Sequence, residues 1–128
     1  KLKGKKVLSV YTEKTPDKDH VFTRGYDKLV KNKKVLVIED LTTTGGSVKK
    51  VVKSVKKAGG KVIGVAVMVN RNPKGVNAKL MGAPFMALGV LKADAVDEKK
   101  CELCKKNVPI NTMVGHGKKY LEAKKKKS

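Results

Sequence analysis

The chain has 128 residues, a length that suits one domain built around one hydrophobic core. Its 31 lysines and arginines outnumber 11 aspartates and glutamates and give a net charge of +20, which suits polyanionic partners such as nucleic acid or phosphorylated substrates. No apolar run reaches the roughly 18 residues of a membrane span, and no signal peptide is visible. Two cysteines cannot make a disulfide framework, so we expect a reducing, cytoplasmic setting.

A β-hairpin is predicted near the start of the chain. Residues 5–14 combine apolar, β-branched and aromatic side chains between polar flanks, which is typical of a strand. Residues 15–20 (TPDKDH) indicate a turn or mobile loop, and residues 21–26 indicate the returning strand. The continuous apolar run in residues 33–40 then predicts a central strand that is covered on both faces.

An amphipathic helix and a second buried strand follow. Ser47 is the predicted N-cap of this helix, and two glycines at positions 59 and 60 end it. Residues 61–70 form the next predicted strand, so strand, helix and strand make a βαβ unit with parallel strands. Lysines fill the polar face of the helix, and its apolar positions are Val48, Val51, Val52, Val55 and Ala58.

The remainder of the chain is predicted to hold one more strand and short helices. Residues 71–82 indicate a loop with a short helix, and residues 83–92 indicate a strand. Residues 94–106 indicate a short helix, residues 107–117 a coil, and residues 118–128 a basic tail whose last lysines are frayed and solvated. We therefore predict a single α/β domain over the whole chain, with a parallel sheet at its centre.

A ligand site is predicted where the first central strand meets the amphipathic helix. Ligands of open parallel sheets bind at the carboxyl ends of the strands, and Glu39 and Asp40 stand at such an end. The loop after them leads into a helix N-terminus, whose N–H groups and dipole attract anions. Hydroxyl donors and a closely approachable backbone come from Thr43, Thr44, Gly45, Gly46 and Ser47.

Two carboxylates beside a phosphate loop restrict the kind of ligand. They repel a bare phosphate, but they suit a ligand that also carries hydroxyl groups or that brings a divalent cation. A sugar phosphate with Mg²⁺ nearby meets both demands. The simpler alternative is a strand–turn–helix corner whose acids face solvent, and the coincidence of two acids, the loop and the βαβ context favours the ligand site.

The stretch VLVIEDLTTTGGS, residues 35–47, resembles the phosphoribosyl-pyrophosphate signature of the type I phosphoribosyltransferases. The order of hairpin, signature, helix and strand is also similar to that family, and the late stretches CELCKKNVPINT and VGHG resemble orotate-phosphoribosyltransferase-like members. The resemblance covers about residues 8–121. It implies a Rossmann-like phosphoribosyltransferase core with a flexible loop, shortened at its N-terminus.

The resemblance implies roles for the matching residues. Glu39 and Asp40 would accept hydrogen bonds from the two free ribose hydroxyls, and residues 43–47 would hold the 5-phosphate. The implied reaction transfers the phosphoribosyl group to a nucleobase and releases pyrophosphate, with Mg²⁺ as the cofactor. It also implies a homodimer that acts in nucleotide synthesis.

Basic residues are implied to act on the pyrophosphate and the base. Lys14 resembles a lysine that such enzymes aim at the pyrophosphate, and Lys18 and His20 lie where the family's loop contributes catalytic basic residues. Arg71 loosely resembles a base-side arginine. A solvated loop histidine is the simpler interpretation of His20.

Two further comparisons with the family concern the substrate and the completeness of the chain. Enzymes for 6-oxopurines carry an acid at the position of Thr43, so an orotate-like pyrimidine is the expected base. Full-length members have a substantial N-terminal half before the hairpin, so we expect a fragment, a reduced homologue or a chain that another one completes.

The alternative function is a non-catalytic regulator that binds phosphoribosyl pyrophosphate or a nucleotide and uses its basic surface on nucleic acid.

The cysteine pair in CELC allows three interpretations. Its spacing would let the thiolates of Cys101 and Cys104 reach one Zn²⁺, but no second pair accompanies it. Thiols that pack a C-terminal helix are the favoured alternative. A disulfide or redox pair is the third, although the pair falls late in its predicted helix and not at the helix start. We expect a surface or capping role for His116, which lies between two glycines.

Overall fold

The computed structural model describes Gly4, residues 6–92 and residues 96–125. The chain divides into two compact units, Lys1–Asp94 and Ala95–Ser128, and each is described by itself. Because two compact units can still belong to one domain, the single-domain prediction stays a prediction.

Three parallel strands form the sheet of the first unit. β3 (Lys34–Thr42), β4 (Lys61–Asn70) and β5 (Phe85–Val90) are neighbours in that order, so β4 is the middle strand. In the register, Val37 of β3 lies opposite Val65 of β4. The parallel α/β core predicted from the sequence is confirmed.

The helix α2 (Gly46–Lys57) packs on one face of this sheet. Val48, Val52 and Val55 are buried, as their spacing predicts. Valine is a mediocre helix former, so the helix depends on this packing for its stability. The buried core consists of Val30, Val37, Val48, Val52, Val55, Val65, Val67, Val76 and Met81.

The start of α2 differs from the prediction. Gly45 is the N-cap residue, with a left-handed φ of 75°, and Ser47 is the second residue of the helix. The prediction of Ser47 as the cap is therefore wrong. Its hydroxyl contacts His20 instead of a backbone N–H of its own helix.

The hairpin is present, but its strands are shorter than predicted. β1 (Glu13–Lys14) pairs antiparallel with β2 (His20–Val21), and residues 6–12 form no regular strand. Residues 21–26 do not continue as a strand, because Gly25 adopts a left-handed φ of 76° and the helix α1 (Tyr26–Val30) begins directly after it.

The other face of the sheet is exposed in the described part of the chain. Side chains alternate along a strand, so Val37 points into the core while Ile38 is 70% exposed. Leu88 of β5 is 74% exposed. The prediction that β3 is covered on both faces is therefore wrong for the described residues. Further exposed apolar side chains on these strands are Leu36, Met68, Met86 and Val90.

The short helix predicted between the last two strands is confirmed as α3 (Ala78–Met81). In the second unit the helix predicted for residues 94–106 is a 3₁₀ turn (Glu98–Lys100) followed by α4 (Glu102–Lys105). The predicted basic tail is helical as far as Lys125, in α5 (Gly117–Lys125), and residues 126–128 lie outside the described residues. In the parts of the chain that the structure describes, no helix has the length and apolarity to cross a membrane.

Candidate active site

The phosphate loop, residues 43–47, joins the carboxyl end of β3 to the first turn of α2. Its conformation depends on Gly45, which is buried and left-handed. A Cβ at this position would lie 2.7 Å from Leu80 Cδ2 and 3.0 Å from Met81 Cε. The backbone conformation therefore favours glycine here, and a larger residue would also have to displace the ends of the Leu80 and Met81 side chains.

The N-terminus of α2 is well suited to hold an anion. Its first turn contains no acidic residue, and Gly45 gives it no side-chain cap. The first N–H groups of a helix lack partners within the helix, and the helix dipole favours negative charge beside them. Thr44, Gly46 and Ser47 are exposed, while the Thr44 hydroxyl lies 3.4 Å from the Gly46 nitrogen. The loop thus presents hydroxyl and N–H donors at one helix end.

Two carboxylates stand before this loop, and their environments differ. Glu39 is half-buried, and Asp40 is exposed and accepts a hydrogen bond from the Leu41 nitrogen at 2.6 Å. Burial raises the pKa of Glu39, and the charge of Asp40 and a hydrogen bond with it raise that pKa further. The Lys14 ammonium acts in the opposite direction on the pKa of Glu39. The fold therefore brings Lys14 of the hairpin close to Glu39 of β3.

His20 lies at the start of β2 and is only 9% exposed, in contrast to the solvated position expected from the sequence. Its Nδ1 lies 3.0 Å from Thr12 Oγ1, and its Nε2 lies 3.1 Å from Ser47 Oγ. The Ser54 hydroxyl donates to its backbone carbonyl. Burial lowers the pKa of His20, and the ammonium groups of Lys14 and Lys50 lower it further.

The remaining sequence-predicted residues occupy different parts of the first unit. Lys18 lies in the hairpin turn with a left-handed φ of 62°, and its carbonyl accepts a hydrogen bond from Lys50 Nζ. Hydrogen bonds to both the carbonyl and the hydroxyl of Thr15 hold this turn. Arg71 follows β4, and its N–H donates to the Thr42 carbonyl at 2.8 Å, which places its backbone beside the phosphate loop.

Asn70 is a structural residue of the site that the sequence reasoning missed. It is 2% exposed, its amide donates to the Val76 carbonyl at 3.0 Å, and its side-chain oxygen accepts from the Asn72 nitrogen at 3.0 Å. These bonds shape the segment that carries Val76, which packs behind Gly45. The sequence signal that could have identified Asn70 is a polar residue at the end of an otherwise apolar strand.

The cysteine pair lies in the second unit. Hydrogen bonds from the backbone and thiol of Cys104 lower the pKa of the Cys101 thiol. Among Gly4, residues 6–92 and residues 96–125, no group of three His, Cys, Asp or Glu side chains is arranged to hold a metal ion. Zinc at Cys101 and Cys104 therefore gains no support.

The phosphate-loop region offers Glu39 and Asp40 as candidate ligands for a magnesium ion. The donors there are the two adjacent carboxylates, and Mg²⁺ typically takes one or two carboxylates together with substrate phosphates and water. The chemistry of this donor set is therefore compatible with Mg²⁺ that is bound mainly by a phosphorylated ligand.

Comparison with curated proteins finds orotate phosphoribosyltransferases. The chain is 39% identical over 87 residues to the enzyme of Caldanaerobacter subterraneus subsp. tengcongensis, covering 68% of this chain and 44% of that protein. It is 38% identical over 103 residues to the enzyme of Desulforamulus reducens, covering 80% of this chain and 51% of that protein. The chain thus spans about half the length of the curated relatives it matches.

Among solved structures, the chain is similar to an adenine phosphoribosyl transferase from Trypanosoma brucei in complex with AMP, pyrophosphate and ribose-5-phosphate. The TM-score is 0.40 and the identity 22%, over 62% of this chain and 41% of that one. The family model of the phosphoribosyl transferase domain matches residues 4–84, which include the hairpin, the acids and the phosphate loop. The chain therefore belongs to the phosphoribosyl transferase domain family.

Proposed function

We propose that the protein transfers the phosphoribosyl group of phosphoribosyl pyrophosphate to an orotate-like pyrimidine and releases pyrophosphate. The observation that carries the proposal is the position of Glu39 and Asp40 in the last part of β3, from which residues 43–45 lead into the acid-free N-terminus of α2. A sugar phosphate needs hydrogen-bond acceptors for its hydroxyls and donors for its phosphate, and the end of β3 and the loop after it supply acceptors and donors in turn.

The binding roles follow from the donors and acceptors at this edge. Residues 43–47 would donate N–H and hydroxyl hydrogen bonds to the 5-phosphate. Glu39 and Asp40 would accept hydrogen bonds from the ribose hydroxyls. The hydroxyls would also separate the two carboxylates from the phosphate charge.

The transfer step places opposite charges on the two parts of the substrate. The bond from ribose C1 to the pyrophosphate oxygen breaks and leaves its electron pair on that oxygen, while a ring nitrogen of the base forms the new bond to C1. The proton of that ring nitrogen passes to the pyrophosphate or to solvent. Lys14, whose ammonium acts on Glu39, is suited to stabilise the departing pyrophosphate. Mg²⁺ bound to the substrate would neutralise further negative charge on the leaving group.

Orotate is the proposed base for two reasons. The relatives at 38–39% identity are named orotate phosphoribosyltransferases. Thr43 carries no charge, whereas the resemblance implies an acid at this position in the enzymes for 6-oxopurines. Arg71 is the candidate for a base-side contact, because its backbone is fixed beside the loop. Homodimerisation, a cytoplasmic location and nucleic-acid binding by the basic surface stay predictions.

Pyrophosphate release tests the proposed function. The chain is incubated with phosphoribosyl pyrophosphate, Mg²⁺ and either orotate or adenine, and release is followed for wild type and for Asp40→Asn. We expect pyrophosphate release with orotate, and a release rate about a hundredfold lower in Asp40→Asn. Glu102→Gln, which removes a carboxylate paired with Lys105 in the second unit, should leave the rate unchanged. Pyrophosphate release in the presence of adenine but not of orotate would contradict the choice of base. Binding of phosphoribosyl pyrophosphate without release of pyrophosphate would contradict transfer by this chain.

A further inference from the structure

His20 connects the hairpin to the phosphate loop through its side chain. One ring nitrogen lies 3.0 Å from Thr12 Oγ1 and the other lies 3.1 Å from Ser47 Oγ, within a side chain that is nine-tenths buried. Ser47 itself is exposed at the first turn of α2. A buried imidazole therefore contacts the hydroxyl of an exposed residue in the first turn of α2, where we propose that the phosphate binds.

The tautomer of His20 decides what the Ser47 hydroxyl can offer to a ligand. A neutral imidazole has one N–H donor and one bare nitrogen acceptor. If Nδ1 carries the proton, the Ser47 hydroxyl must donate to Nε2, and only its oxygen lone pairs face the phosphate. If Nε2 carries the proton, it donates to Ser47 Oγ, and the hydroxyl proton of Ser47 is free to point at the phosphate.

We propose that His20 is a positioning residue that aims the Ser47 hydroxyl proton at the 5-phosphate, with Nε2 donating to Ser47 and Thr12 donating to Nδ1. Thr12 completes the arrangement because a hydroxyl can donate to the bare nitrogen as readily as it can accept. The inference rests on the proposed function, since it requires a phosphate at this loop.

The charges around His20 favour the neutral ring that this arrangement needs. Lys14 of β1 and Lys50 of α2 disfavour a proton on His20, and burial adds to their effect. Asp19 of the hairpin turn acts in the opposite direction and is outweighed. The other charged groups that line clefts with His20 are Glu39 of β3, Asp27 of α1, and Lys53 and Lys57 of α2.

A different role would be to hold the hairpin on α2 without any effect on the ligand. Ser54 provides the means to separate the two roles, because its hydroxyl contacts the carbonyls of His20 and Lys50 and not the ring. Ser54 lies on the same helix as Ser47, about two turns further from the anion site. Ser54→Ala therefore weakens hairpin docking but leaves the ring and Ser47 in contact.

Two substitutions of His20 each keep one of its two side-chain contacts and remove the other. The amide of Gln reaches the place of Nε2 and can donate to Ser47, whereas the shorter Asn reaches only the place of Nδ1 and serves Thr12. Binding of ribose 5-phosphate is measured by calorimetry for wild type, His20→Gln, His20→Asn, Ser47→Ala, Ser54→Ala and the double variant His20→Asn/Ser47→Ala. Circular dichroism establishes that each variant is folded.

We expect His20→Asn and Ser47→Ala each to weaken binding by about tenfold, with the double variant no weaker than Ser47→Ala alone. His20→Gln and Ser54→Ala should stay within about twofold of wild type. Nitrogen NMR of the imidazole ring should show the proton on Nε2 in the ribose 5-phosphate complex.

Three results would overturn the inference. These are additive losses in the double variant, a loss in Ser54→Ala as large as that in Ser47→Ala, and a ring protonated on Nδ1 in the complex. If wild type binds ribose 5-phosphate and His20→Asn binds it equally well, only this inference is wrong. If wild type does not bind ribose 5-phosphate, the proposed function is wrong as well.

Discussion

Glu39 combines a proposed role in ligand binding with a cost to the stability of the fold. Its pKa is raised in the folded chain by burial and by Asp40. A carboxyl with a raised folded-state pKa stabilises the fold while it is protonated, and it loses that stability as the pH rises through the folded-state pKa. At neutral pH an ionised Glu39 therefore destabilises the folded state, and the ribose hydroxyls of a ligand would compensate it.

We predict that Glu39→Gln stabilises the fold and weakens ligand binding. The Tm at pH 7.5 should rise by about 2 °C, a modest value because solvent screens a half-buried group. At pH 3.5, where Glu39 is protonated in wild type, the two proteins should have similar Tm values. Thermal denaturation at both pH values measures this, with Glu102→Gln as the exposed control, and a lower Tm for Glu39→Gln at pH 7.5 would contradict it.

His20 predicts a second pH dependence, of opposite sense. Its pKa is lowered in the folded chain from an ordinary value of 6.5, so the unfolded chain binds more protons just below pH 6.5. The stability that a neutral His20 contributes to the fold is present above pH 6.5 and is lost as the pH falls through its folded-state pKa. Urea denaturation between pH 7.5 and 5.0 should show this fall for wild type and a smaller one for His20→Gln, and equal slopes would contradict the assignment to His20.

At the scale of elements, the βαβ unit could be predicted from sequence because its signals are local. The apolar spacing of α2 and the apolar runs of β3 and β4 lie within one continuous segment. The short hairpin strands and α1 could not be predicted in this way. Their form depends on the left-handed Gly25 and on packing of the hairpin against α2, which the local pattern does not report.

Gly45 allows a prediction about how the phosphate loop and α3 depend on each other. Gly25 has nearly the same left-handed φ, at 76° against 75°, but a Cβ there would meet nothing within 4 Å. Gly25→Ala therefore adds only backbone strain, about 1 kcal/mol. Gly45→Ala adds the overlap with Leu80 and Met81, and should cost about 2 kcal/mol more in unfolding free energy.

Chemical denaturation of the two alanine variants measures the difference. Gly45→Ala should also weaken ribose 5-phosphate binding by at least about tenfold, because the first turn of α2 must shift. Gly25→Ala should bind as wild type does. Equal destabilisation by the two substitutions would show that the packing of α3 behind the loop is not tight.

At the scale of the whole molecule, the site divides into a part that sequence predicts and a part that it does not. Glu39, Asp40 and residues 43–47 are contiguous, so their joint location follows from the chain itself. The contact between His20 and Ser47 joins residues 27 positions apart. It depends on how the hairpin folds back onto α2, and no single-sequence pattern carries that information.

The exposed sheet face predicts a surface property of the chain. Parallel sheets are typically covered on both faces, and contiguous apolar patches on a protein surface bind hydrophobic dyes. We expect the 128-residue chain to bind anilinonaphthalene sulfonate in its folded state. Replacing Ile38 and Leu88 by Thr should reduce the dye fluorescence at little cost in stability, since both are exposed. The control Val37→Thr, at a buried position, should lower the stability, and unchanged fluorescence in the double variant would contradict the prediction.

Calorimetric titration of the chain with phosphoribosyl pyrophosphate and Mg²⁺, with and without orotate, tests the central claim most directly. The account predicts saturable binding to wild type, a loss of at least about tenfold in Asp40→Asn, and pyrophosphate release when orotate is added. Equal binding by wild type and Asp40→Asn, or no binding by wild type, would contradict the assignment of the site at the end of β3.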